Sequence, residues 1–67
     1  MISARNQFPA KVKSVKLGAV MAEVVMTVGK IEVVSLISRV SAESMNLKAG
    51  DEVQAIIKAT EVMVSKE

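Results

Sequence analysis

Between Gly18 and Gly29 the sequence GAVMAEVVMTVG alternates, so that Val20, Ala22, Val24, Met26 and Val28 fall on one side of an extended chain and Met21, Glu23, Val25 and Thr27 on the other. Both sides are largely apolar. A strand of this kind lies in a closed barrel with a partner subunit outside, or in a covered sheet. Gly29-Lys30 then reads as a tight hairpin turn. The stretch KIEVVSLIS, from Lys30 to Ser38 and rich in β-branched residues, reads as the returning strand.

Upstream, FPAKVKSVKLG sets Val12, Ser14 and Lys16 against Lys11, Lys13, Val15 and Leu17. The pattern predicts a strand with one basic, solvated side, placed at a sheet edge that its lysines protect from further pairing. Pro9 cannot donate to a ladder and is expected near a strand start or an edge. Downstream, Ser41-Ala42-Glu43-Ser44 opens with a capping residue, Met45 and Leu47 lie near one face, and Gly50 closes the segment. That predicts one or two turns of helix. EVQAIIKA, from Glu52 to Ala59, reads as a strand, and Glu61 to Ser65 as a last short one. The expected order is three strands, a short helix and two strands. This is the five-stranded Greek-key barrel of the OB-fold, all-β with its helix between strands 3 and 4. A small open sheet would give the same pattern.

Size explains why such a chain needs help. A domain of this length, 67 residues, buries only about 60% of the surface its unfolded chain exposes. With no Cys and no His, it can use neither a disulfide nor a Cys/His metal site as a staple. Oligomerisation remains. A hydrophobic content of 51% and a mean hydropathy of +0.39 point the same way, because a small monomer has too much surface to hide that many apolar side chains.

The same inventory limits function. Without His or Cys, the usual bases, nucleophiles and metal centres are missing, and the carboxylates are scattered, so an enzyme is not expected. No segment approaches the roughly 18 to 20 apolar residues of a membrane helix. The stretch from Met1 to Phe8 lacks the apolar core of a secretion signal, so a cytoplasmic protein is expected. A net charge of +2 favours an anion weakly. OB-folds commonly bind single-stranded nucleic acid by stacking bases on aromatics, and Phe8 is the one aromatic side chain here. Lys11, Lys13 and Lys16 could touch phosphate, although solvated strand lysines usually serve solubility.

The remaining polar residues form clusters of donors: Ser3-Ala4-Arg5-Asn6, Ser38 with Ser41, and Lys58-Ala59-Thr60. A tetrahedral dianion held away from water needs several N–H and O–H donors and one or two positive charges. Each residue also has an ordinary role open to it: Ser41 as a helix cap, Ser38 as a strand end, Arg5 as a surface residue and Lys58 as a snorkelling one.

Taken together, the SARNQ opening, GAVMAEVVM, Leu47-Lys48-Ala49-Gly50-Asp51 and Ile57-Lys58-Ala59-Thr60-Glu61-Val62-Met63 resemble the molbindin (Mop) family across essentially the whole chain. The resemblance implies a single domain over residues 1–67 with an OB-like barrel, binding molybdate or tungstate for storage or homeostasis. It also implies a homohexamer built as a trimer of dimers, with anion sites between subunits. Carried over, Ser3, Ala4, Arg5 and Asn6 match the family's N-terminal anion-binding motif, Ser38 and Ser41 the polar positions before the helix, and Lys58 and Ala59 a Lys-Ser or Lys-Ala pair followed by Thr60. Phe8-Pro9-Ala10 departs from the family pattern, in which a glycine is common. Two rival readings stay open: a nucleic-acid-binding OB module, and a regulatory domain cut from a longer protein.

Overall fold

The two-sided alternation of residues 20–28 is realised as the second strand of a four-stranded antiparallel sheet. The computed structural model describes residues 4–66, arranged as β1 (Asn6–Leu17), β2 (Met21–Val28), β3 (Ile31–Ser38), helix α1 (Arg39–Ser44), β4 (Glu52–Ile57) and a 3-10 turn (Ala59–Glu61). The strand order is β3-β2-β1-β4. Ala22, Val24 and Met26 of β2 are buried, as their shared face predicts, whereas Val20 lies in the preceding turn and is exposed. The β2–β3 hairpin closes on the pair Val28↔Ile31, and Gly29 takes a φ of 61°. Such a positive φ is what a primed two-residue hairpin turn requires at its first central position.

β1 is not an edge strand. It is long enough to serve two ladders: residues 6–11 pair with β4 and residues 11–17 with β2. Pro9 is tolerated because its segment has a ladder partner on one side only, opposite Gln54. The expected alternation also fails in the middle of β1. Val12 pairs with Met26 and Ser14 with Val25, so Lys13 is an extra, bulged residue. The bulge turns both Val12 and Val15 toward the core, a spacing that an unbroken strand cannot achieve. Lys13 projects outward and pairs with Glu32 across the sheet.

The helix begins earlier than the Ser41 cap predicts. Ser38 is the N-cap and its side chain accepts the Ser41 N–H. The end is also earlier than Gly50. Asn46 adopts φ 51°, its N–H donates to Glu43 O and that of Leu47 to Ala42 O, which together form a Schellman-type stop. Gly50 belongs to the turn entering β4, where its N–H donates to Val12 O at 2.8 Å.

The fifth expected strand does not form among the described residues. β4 ends at Ile57 instead of Ala59, the chain makes its 3-10 turn, and residues 62–66 carry no regular structure. A strand needs a ladder for its backbone groups, and this segment pairs with neither free edge of the sheet. Val62, Met63 and Val64 are left exposed, the last two more than 90%. Between β3 and β4 the barrel is correspondingly open, with an apolar cavity of about 410 Å³ bordered by Val33, Ile37, Val53 and Ile57.

The core is small. Val12, Val24, Met26 and Ala55 form it, with Val15, Val28, Val33, Ile37, Leu47 and Val53 packed around them. Ile31, Val34, Leu36 and Val40 each remain more than half exposed. This is the surplus apolar surface that the composition predicts. Among the described residues no helix is long and apolar enough to cross a membrane.

Candidate functional site

The strand register decides which candidate residues meet. Asn6 stands opposite Ile57 in the β1–β4 ladder, so the start of β1 and the end of β4 lie together at one end of the sheet. Ala4 and Arg5 immediately precede that pair and Lys58, Ala59 and Thr60 immediately follow it. Ser3 lies outside the described residues. Gln7 folds the strand entry: its Nε2 donates to Ala4 O at 2.6 Å and its N–H to Arg5 O at 3.1 Å. Asn6 is half-buried, while Arg5 and Lys58 are exposed.

Two cations, Arg5 and Lys58, meet at this end. Lys13, Arg39 and Lys48 each have a carboxylate partner, respectively Glu32, Glu43 and Asp51. Among the described residues, neither Arg5 nor Lys58 makes such a pair. Ala59 opens the 3-10 turn, with the Glu61 N–H donating to Lys58 O and the Val62 N–H to Ala59 O. The first amides of a helical turn have no partner within it, so Ala59 and Thr60 offer backbone donors beside two unneutralised cations.

Ser38 and Ser41 sit elsewhere. Ser38 ends β3 opposite Met21, at the Leu17 end of β1. Its Oγ accepts the Ser41 N–H at 3.0 Å and donates to Ser41 Oγ at 2.8 Å. The Ser38 proton is thereby used, and the Ser41 hydroxyl keeps its own to donate outward, where it is exposed. Ser38 therefore both ends β3 and caps the helix in the place expected of Ser41, and among the described residues the Ser41 O–H has no acceptor. One chain thus carries two sets of donors at opposite ends of β1, and the fold does not merge them.

Arg39 is the residue that the sequence reading did not single out. It follows Ser38, its N–H donates to Val20 O at 2.7 Å, its Nη1 to Gly18 O at 3.1 Å and its Nε to Glu43 Oε2 at 3.3 Å. The available signal was a cation at the first helical position, where the helix dipole disfavours it.

Comparison with known proteins identifies the family. The TOBE domain family model matches residues 2–64. Molybdenum-pterin-binding protein 3 of Clostridium pasteurianum is 50% identical over 64 residues, covering 94% of each chain. The chain belongs to the molbindin (Mop) group of TOBE-domain proteins. Its fold is the molbindin fold: a molybdate-binding protein from Sporomusa ovata superposes with a TM-score of 0.94 at 42% identity, covering 98% of both chains. MopII from Clostridium pasteurianum superposes at 0.91 and 43% identity, covering 98% of this chain and all of that one. These molbindin relatives are named as binding proteins.

Proposed function

We propose that this molbindin chain binds molybdate or tungstate reversibly and without catalysis, at sites shared between subunits of a homohexamer, for storage or homeostasis of the oxyanion in the cytoplasm. The observation that carries the reading is the gathering of Arg5, Asn6, Lys58 and Ala59 at one end of the sheet with both cations unpaired by carboxylate among the described residues. A tetrahedral dianion is the kind of ligand that such N–H donors and charges suit. Ala4 and Thr60 adjoin this cluster in the chain, and in this proposal they add to its donors together with Ser3, which lies outside the described residues.

The separation of Ser38 and Ser41 from that cluster favours an assembly. A second chain can supply one set of donors where the first supplies the other, and the exposed apolar residues Val34, Leu36 and Ile31 give it surface to hold. The relatives' names support molybdenum oxyanion binding and give no support to nucleic-acid binding. Of the three strand lysines, Lys13 is already paired with Glu32 and is less suited to phosphate.

Isothermal titration of the native assembly with molybdate, tungstate, sulfate and phosphate tests the reading. Saturable binding of a group-6 oxyanion in preference to sulfate and phosphate is expected. Absence of binding to both molybdate and tungstate refutes it. Native mass with and without molybdate reports the oligomer and the anions bound to it, and a monomer in both states refutes the hexamer.

A further inference from the structure

α1 is poorly equipped to hold itself in place. It has six residues, buries only Ala42, and has no acidic residue in its first turn or basic residue in its last. A helix so short has no independent stability in water. Its first residue, Arg39, puts a cation at the positive end of the helix dipole, a local misfit. Misfits of this kind persist where neighbouring structure compensates them.

Compensation is visible in the side chain's partners. The guanidinium turns back to the Gly18 carbonyl and to Glu43, one turn on, while the Arg39 N–H donates to Val20 O. Two of these three bonds end in the β1–β2 connection, and that connection is itself tightly set. The Gly18 N–H donates to Met21 O at 2.7 Å, and a Cβ on Gly18 would stand 2.9 Å from the same oxygen. The helix is therefore fastened at its start to a turn with little freedom, next to the Ser38–Ser41 hydroxyl pair.

We propose that Arg39 is a positioning residue for the Ser38–Ser41 pair, its guanidinium tethering α1 to the Gly18 carbonyl so that the free Ser41 hydroxyl is presented in one orientation. The role rests on the anion-binding reading above for its purpose, but the tether has a readout of its own. Its guanidinium is engaged by Glu43 and the Gly18 carbonyl, so in this proposal Arg39 acts through Ser41 and not on the anion. A lysine cannot substitute, because a single ammonium does not reproduce the planar fork that reaches a carbonyl and a carboxylate together.

The test uses the native oligomer with Arg39→Ala and Arg39→Lys, followed by amide hydrogen exchange at Ser41 and by molybdate titration. Both variants are expected to speed Ser41 exchange by about tenfold or more through local opening, with Ala10 and Val53 in the β1–β4 ladder unchanged. Molybdate affinity should fall about three- to tenfold, the penalty of ordering a loosened side chain on binding. Unchanged Ser41 exchange overturns the tether. Faster exchange with wild-type affinity overturns its bearing on the site, and weaker binding with unchanged exchange makes Arg39 a direct ligand instead. If the wild type itself binds no molybdate, the anion reading fails, and the exchange data still decide the tether.

Discussion

Replacing Arg5 by alanine and, separately, Lys13 by alanine removes one positive charge in each case, from two very different settings. Among the described residues Arg5 has no carboxylate partner and sits beside Lys58 at the end of the β1–β4 ladder. A hydrogen bond to a charged group contributes about 1.5–3 kcal/mol. At about 1.4 kcal/mol per decade, loss of one such bond from arginine to the dianion weakens binding by about ten- to a hundredfold. Lys13 is spent on Glu32, with side-chain exposures of 58% and 51%. Exposed pairs of this sort contribute about 0.2–1 kcal/mol to stability. At roughly 0.15 M salt the screening length is about 8 Å, so a solvated lysine acts weakly on a distant anion and its loss should cost less than about twofold in affinity. Calorimetric titration of both variants at that ionic strength makes the comparison, with native mass checked for each. Equal losses would show that net charge alone attracts the anion and would refute the assignment of Arg5.

Three further outcomes follow from the geometry. Ser38→Asp keeps an N-cap acceptor, so thermal stability should stay within about 0.5 kcal/mol of wild type; the new carboxylate should still weaken molybdate binding, and unimpaired affinity on titration would remove the Ser38–Ser41 pair from the site. Gly18→Ala drives a Cβ to 2.9 Å from the Met21 carbonyl oxygen, which should cost about 1–3 kcal/mol, and a urea melt coincident with wild type would contradict that close approach. Met26→Ala empties part of a core with few members and should cost about 2–5 kcal/mol; retained cooperative unfolding at the wild-type denaturant midpoint would argue against it.

The β2–β3 hairpin was legible because its determinants are local: period-two alternation from Ala22 to Val28 and a glycine able to take a positive φ. The presence of α1 was legible for the same reason, although its cap was misplaced by one turn, because Ser38 and Ser41 are equally good capping residues three positions apart and only the β3 pairing of Ser38 decides between them. Asn46 could have been found as the helix stop, since asparagine tolerates the left-handed region. The interior place of β1 was not legible. Its lysines look like edge protection, and only the pairing with both β2 and β4 shows that it is central. The last strand was expected and does not form for a different reason: Val62, Met63 and Val64 have strand propensity, but propensity does not supply a ladder. For the site, the register Asn6↔Ile57 joins the two ends of the sequence that the resemblance matched. Arg39 escaped notice because its role depends on a carbonyl far away in the chain.

The bulge at Lys13 separates two properties that are usually inseparable in a strand. Since Ser14 already pairs with Val25 and Val12 with Met26, shortening the chain by Lys13 leaves every other residue of β1 facing the same way. The extra residue therefore bends the strand without changing which way its neighbours face: it lies between the half of β1 that begins at Asn6 and the half that ends beside Ser38. In this chain the bend between the two halves of β1 comes from one added residue, with the facing of the core residues Val12 and Val15 preserved.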